Sequence, residues 1–388
     1  MPEFADYYRE IYARGMGGEQ PTLPVSVADL EQKAIDAMEP RAANYVCAAA
    51  GSEETMDANR EAFRRWRIVP RMLRDVAERD LSTTVLGTEM PAPVLLAPIG
   101  VQKIVHPDGE LASAGAAAAV GLPFVTSTAS AYSLEEIAEA GGDSTRWFQL
   151  YWTGEEAIVA SMVKRAEAAG YSAIVLTVDT FVPGWKPRDL QQAWLPFLEG
   201  TGTANFFEDP VFREALERPP EEDVGAAVGH YLSVYENPSL TWDRLSWLRE
   251  QTSLPVLVKG ILHPDDAREA VSRGLDGIVV SNHGGRQIDG EIASLDALPP
   301  IVEAVGGQIA VLLDSGIRGG ADTIKALALG ADAILLGRPY IWGLALDGRD
   351  GVETVLKMLL AELDLTLALA GQASIEGLGS ELLAREPS

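Results

Sequence analysis

The chain has 388 residues, 47% of them apolar, which supports a sizeable core and excludes global disorder. Its 57 acidic side chains outweigh 31 basic ones, and a net charge of −26 repels phosphate backbones and disfavours nucleic-acid binding. A single cysteine, Cys47, excludes an intrachain disulfide, and four histidines without HxH or HxxxH spacing disfavour a zinc site, so no metal is expected.

The first residues lack a basic segment followed by an apolar run, and no stretch of about 20 apolar residues follows. A cytoplasmic protein without stable membrane insertion is expected. Residues 1–90 form a helical extension: Ser26 precedes an apolar-periodic segment over 30–38, and a second helical piece lies around 42–50. From there short apolar runs alternate with amphipathic helical segments. The runs are 94–98, 123–125, 147–150, 173–178, 255–259, 277–281, 310–313 and 333–336. Each is uncharged until its end, as parallel strands buried on both faces are. Helical patterns at 134–140, 155–169, 264–273 and 320–329 lie between them, three closing at Gly170, Gly274 and Gly330. Eight strand–helix alternations predict an α/β fold, a TIM (β/α)8 barrel over residues 91–380. An open doubly wound sheet shares the same repeating unit. Residues 183–240, after the fourth strand, form a long insertion rich in proline, glycine and aromatics, read as a lid.

Barrel active sites lie just beyond the strand ends. Those positions carry Pro98, Ile99 and Gly100; Ser127; Gln149 and Tyr151; Thr177 and Asp179; Lys259; Ser281, His283 and Arg286; Asp314, Gly316 and Arg318; and Gly337 and Arg338. Gly316, Gly319 and Gly320 allow close backbone approach, and the helix after them offers N–H groups to an anion. With Arg318 and Arg338 these form a candidate phosphate site. No GxGxxG or GxxxxGK[ST] occurs, so the phosphate belongs to a mononucleotide-type cofactor or a phosphorylated substrate. His283, three residues before Arg286, sets a proton acceptor beside a carboxylate clamp.

The segments SNHGGRQ (281–287), LTVDT (176–180), FQLYW (148–152), LVKG (257–260), LDSGIRGG (313–320), LLGRPY (335–340) and NREAFRRW (59–66) resemble, in order and spacing, the FMN-dependent α-hydroxy-acid oxidases and dehydrogenases. The resemblance covers roughly residues 26–380. It implies FMN as cofactor and oxidation of a small (S)-2-hydroxy acid to the 2-keto acid, with oxygen or another electron acceptor. It implies that His283 is the base, that Asp179 stabilises its charged form, and that Tyr45 and Arg286 bind the carboxylate. Tyr151 would contact the hydroxyl side of the substrate. Lys259 would face flavin N1 and C2=O. Gln149, Thr177 and Ser127 would bond the ring, Pro98–Gly100 would lie near N5, and Asp314 would bind the ribityl chain. Arg318, Gly337 and Arg338 would hold the phosphate.

Within that family, Gly100, Ala129 and the GWKPRD opening of the lid (184–189) look most like lactate 2-monooxygenase. There a retained keto acid is decarboxylated by the peroxide formed beside it. Three departures stand out. Lys186 replaces a usual arginine, with Arg188 placed to compensate at the substrate carboxylate, and Ala48 and Ala49 replace usual glycines near Tyr45. The alternatives are a 2-hydroxy-acid dehydrogenase with a non-oxygen acceptor, another FMN-binding barrel enzyme such as an isomerase, and a non-catalytic barrel. Family members also imply a homotetramer or octamer.

Overall fold

The computed structural model describes residues 4–386. Each apolar run forms a strand: β1 (Val94–Leu96), β2 (Phe124–Ser127), β3 (Arg146–Tyr151), β4 (Ile174–Thr177), β5 (Val256–Ile261), β6 (Gly277–Val280), β7 (Ala310–Leu313) and β8 (Ala333–Leu336). All neighbours pair in parallel, and β8 returns to β1 with Ile334 opposite Val94, closing an eight-stranded barrel. The open-sheet alternative is therefore excluded.

Side chains alternate along each strand, so one set faces the barrel axis and the other the surrounding helices. The axial set is Leu95, Val125, Trp147, Val175, Leu257, Val279, Leu312 and Leu335, all buried and packed together. A hairpin of Thr83–Val85 and Thr88–Met90 closes the amino-terminal mouth. Val85 and Met90 join the axial core, and Thr88 Oγ1 accepts the Trp147 indole N–H at 3.1 Å.

The capped segment at Ser26 is a helix, Val27–Ala37, with Ser26 Oγ accepting from Asp29 N–H. Its Leu30 and Ala34 pack on Trp342 and Val355 of the carboxyl-terminal helix Arg338–Leu369. The next helix runs Pro40–Cys47, starting where Glu39 caps the N–H groups of Arg41 and Ala42. Several features lie outside the sequence-based expectations, the 83–90 hairpin within the segment expected to be helical among them. An earlier helix spans Asp6–Met16, the helix Arg338–Leu369 breaks at Asp347–Gly348, and Trp66–Ile68 pairs antiparallel with Leu383–Arg385.

The insertion over 183–240 is folded. It holds short helices Pro187–Gln192, Ala204–Phe207 and Pro210–Glu214, then Val224–Tyr235. Phe197, Phe206, Phe212, Tyr231 and Tyr235 form one chain of aromatic contacts, with ring centroids 4.9–6.2 Å apart. Among the described residues no helix is long and apolar enough to cross a membrane.

Candidate active site

One residue pair beyond the axial hydrocarbon layer, the same inward register turns polar: Ser127, Gln149, Thr177, Lys259, Ser281 and Asp314. A cavity of about 300 Å³ opens above them at the carboxyl-terminal rim. Tyr45, Pro98, Ile99, Gly100, Ser127, Tyr151 and Lys186 line it, with Lys259, His283, Arg286, Asp314, Gly316, Arg318, Gly337 and Arg338. Gln149, Thr177 and Ser281 are buried in its floor, and Asp179 stands behind His283.

His283 sits where β6 gives way to a short turn, with a left-handed φ of 57°. That uncommon conformation for a non-glycine residue is held by hydrogen bonds on both sides. Ser281 Oγ accepts the His283 N–H at 3.0 Å, and Ser315 Oγ accepts the Gly284 N–H at 2.9 Å. Behind the turn, Asn59 and Asn282 exchange reciprocal amide bonds of 2.8 Å. This explains why the NREAFRRW segment of the extension accompanies the site motif.

Asp179 Oδ1 lies 2.8 Å from His283 Nδ1. Burial would raise the Asp179 carboxyl, but His283 and Lys259 pull it well below the usual carboxylate range. Burial lowers His283 against the attraction of Asp179, so a neutral imidazole is available as a base near neutral pH. Lys259 Nζ donates to Ser281 Oγ at 2.9 Å and stands 3.3 Å from Asp314 Oδ2 and 3.7 Å from Asp179 Oδ2. Burial opposes its charge, yet the two carboxylates raise it, so it stays cationic. Gly260, at φ 110°, gives β5 the room it needs: a Cβ there would lie 2.6 Å from Asp179 Cβ.

Across the cavity Arg286 donates to the carbonyls of Tyr45 and Ala48 at 2.7 and 2.8 Å, and its guanidinium stacks 5.1 Å from the Tyr45 ring centroid. Lys186 faces the same region. Burial and the Arg286 charge lower it to about 8. Gly100 allows the loops after β1 and β2 to touch, since a Cβ there would lie 2.5 Å from the Ala129 carbonyl.

Two expectations are corrected, and the two alanine departures find their place. Arg188 does not line the cavity; it turns outward into an ion pair with Glu53, which anchors the lid to the extension. The helix after β7 does not offer a free N–H at Gly320, because Glu362 Oε2 accepts it at 2.9 Å. Ala48 and Ala49 are fully buried outside the cavity, and the Ala48 carbonyl anchors Arg286 and Arg338. Thr180, Gln287, Tyr231 and Tyr235, all on the cavity wall, had no role in the reading of the sequence. The four-residue spacing of the two tyrosines on a helix was the signal for one shared face.

FMN fits this arrangement. Gln149 Nε2 and Thr177 Oγ1 are buried in the floor without partners, as ring-binding polar atoms would be before a ligand satisfies them. Lys259 adds a cation beside them. At the far end, burial and repulsion from other arginines lower Arg318 to about 10 and Arg338 to about 9. A phosphate would neutralise that crowded positive charge, with Gly316 and Gly337 beside it.

Comparisons with known proteins agree with this chemistry. A family model described as FMN-dependent dehydrogenase matches residues 34–385. L-lactate oxidase of Lysinibacillus sphaericus (strain C3-41) is 47% identical, over 92% of this chain and 92% of the relative. 2-Hydroxyacid oxidase 1 of Homo sapiens is 42% identical, over 94% of this chain and 97% of the relative. The crystal structure of mandelate oxidase with (S)-4-hydroxymandelic acid matches with a TM-score of 0.83 at 41% identity, over 94% of this chain and 99% of that one.

Proposed function

The chain belongs to the FMN-dependent α-hydroxy-acid oxidase and dehydrogenase family, with FMN as its cofactor, and from that premise we propose that it oxidises a small, lactate-like (S)-2-hydroxy acid with oxygen as acceptor. The observation that carries this reading is the pairing of His283 with Asp179 on one wall of a cavity whose other wall holds Arg286 and Tyr45. Arg286, Tyr45 and Lys186 bind the carboxylate. That orients the substrate hydroxyl toward His283 Nε2, because Nδ1 is engaged by Asp179. His283 takes the hydroxyl proton, and the Asp179 carboxylate stabilises the imidazolium. When bound, FMN accepts two electrons from the substrate and delivers them to the acceptor. Lys259 holds positive charge at the cavity floor throughout. Ala129, Phe197 and Tyr235 bound the space for the side chain and support a small substrate.

Anaerobic mixing of the holoenzyme with a panel of 2-hydroxy acids, following flavin bleaching, tests this. Lactate is expected to bleach faster than mandelate. The absence of bleaching by any member overturns the reading, and bleaching by aryl acids alone overturns the substrate class.

The lid favours a second step. Trp194 packs 6.4 Å from the Tyr45 ring, and Phe197, Leu195 and Tyr231 wall the cavity. A keto acid held there is attacked at its carbonyl by hydrogen peroxide. Carbon dioxide, water and an acid one carbon shorter are released, a lactate 2-monooxygenase-like outcome. Stoichiometric free peroxide from lactate would reduce the reading to a simple oxidase. A cytoplasmic homo-oligomer belongs to the same reading, supported by exposed Phe181, Trp185 and Ile288 near the mouth. Sedimentation as a monomer would reject the assembly.

A further inference from the structure

His283 acts as a base through Nε2 only while its ring proton sits on Nδ1. Asp179, an ionised carboxylate 2.8 Å from Nδ1, can only accept and so fixes that tautomer; the groups around it decide how Asp179 is held. Thr180 Oγ1 lies 3.2 Å from His283 Nδ1 and 2.8 Å from Asp179 Oδ1. A hydroxyl has one proton to give, so its direction matters.

That direction is set further out, at the root of the lid. The backbone N–H of Gly184 donates to Gln287 Oε1 at 3.0 Å. A backbone amide can only donate, so it orients the Gln287 carboxamide. Gln287 Nε2 then faces Thr180 Oγ1 at 2.7 Å as a donor. Thr180 accepts there and gives its own proton to Asp179 Oδ1. Asp179 Oδ1 stays a carboxylate acceptor for the Nδ1 proton of His283 at 2.8 Å. The lid root lies tight against this chain: a Cβ on Gly184 would stand 2.5 Å from the Arg286 carbonyl oxygen and 2.7 Å from that of Gln287.

We propose that Gln287 and Thr180 are positioning residues, a one-way donor chain through which the docked lid root at Gly184 holds the Asp179 carboxylate against His283 Nδ1. The inference rests on the reading of His283 as the base. When the lid root lifts, Gln287 loses the contact that orients it. Its carbonyl is then free to turn toward Thr180, and the base is no longer held ready. Proton abstraction is thereby tied to a closed site. The titratable and charged groups around the chain are Asp179, Lys259 and Asp314 at the strand ends, Tyr151 at the end of β3 with its hydroxyl bonded to Thr180, Arg286 beside Gln287, Lys186 on the lid and Glu291 after the site turn. All are retained in the variants below.

The test compares FMN-loaded Gln287→Glu, Thr180→Val and Thr180→Ser with the parent. The ionised carboxylate that Gln287→Glu introduces only accepts, so Thr180 must give it the proton and the chain reverses. Gln287→Glu is expected to keep KM within about threefold. It should lose about tenfold or more in kcat, within the range a misplaced base explains. The loss should deepen as pH rises through the new carboxyl's ionisation. Thr180→Val is expected to lose a similar factor, and Thr180→Ser to recover most of it. ¹⁵N NMR of the His283 ring, assigned by its absence in His283→Gln, gives a readout independent of turnover. The His283 ring should titrate higher in Gln287→Glu and Thr180→Val than in the parent, because Asp179 loses a donor, and Thr180→Ser should restore the parent behaviour. If Gln287→Glu loses FMN, Thr180→Val and the ring spectrum decide. An unchanged kcat–pH profile with an unchanged ring titration overturns the proposal. If no 2-hydroxy acid reduces the parent enzyme, the functional reading fails, while the ring titration still tests the chain.

Discussion

The two ends of the barrel are built by the same eight strands. At the lower level Leu95, Val125, Trp147, Val175, Leu257, Val279, Leu312 and Leu335 meet as hydrocarbon, sealed by the 83–90 hairpin. Two residues further along, about 7 Å up each strand, the inward positions become Ser127, Gln149, Thr177, Lys259, Ser281 and Asp314. The lower level stabilises the fold by burying apolar surface. The upper level holds desolvated charges and two buried polar atoms without partners. Such groups cost stability and are tolerated where a ligand satisfies them. The barrel thus separates its stability from its chemistry along one axis.

The sharpest test of that separation is His283→Gln. It should lower substrate-driven flavin reduction by about 10²–10⁴-fold and leave FMN content and melting temperature unchanged. A loss under about tenfold would reject His283 as the base. Trp147→Ala attacks the other end. Chemical denaturation should show a loss of about 3–5 kcal/mol, while each folded, FMN-loaded molecule keeps its turnover. Lost turnover at full stability would break the comparison.

The pH profile of kcat/KM probes the upper level alone. Burial places His283 below its ordinary value, so activity should rise with pH on the acid side of about 6.5. Lys186 loses its charge as pH rises through about 8, so affinity for the carboxylate should fall there. The fall approaches about tenfold per pH unit if that charge is required. This limb is not unfolding. Above about 8 the unfolded chain holds a proton on Lys186 that the folded chain has released, so this group makes stability rise with pH up to its ordinary value of about 10.4. Lys186→Arg should remove the alkaline fall, and a fall that persists would assign it to another group.

Thr177→Val removes a buried hydroxyl that has no partner within the protein. The apo-protein should be as stable or gain up to about 1 kcal/mol, while FMN binding weakens roughly fivefold. Calorimetry of both forms checks this, and a destabilised apo-protein would show that Thr177 serves the fold. The smallest effect belongs to Arg188→Ala. Its partly exposed pair with Glu53 is worth at most about 1 kcal/mol, and KM should not change. A large rise in KM would return Arg188 to the carboxylate site.

The barrel and the membership of its rim were legible in the order of residues alone. Strands buried on both faces need unbroken apolar runs, and parallel connection places all their carboxyl ends on one side. The residues after those runs therefore had to meet, as His283, Asp179, Lys259 and Asp314 do. Folding settled what depends on contacts between residues far apart in the chain. Arg188 is near Lys186 in sequence, yet Glu53 of the extension draws it outward. The Gly320 N–H meets Glu362 from the last helix rather than open space. Trp66–Ile68 becomes a strand only because Leu383–Arg385 returns to pair with it. The direction of the Gln287–Thr180 hydrogen bond depends on where the lid root places one backbone amide. Apolar periodicity records which face of an element is buried, whereas a side chain's hydrogen-bond partner depends on which distant groups folding brings within about 3 Å.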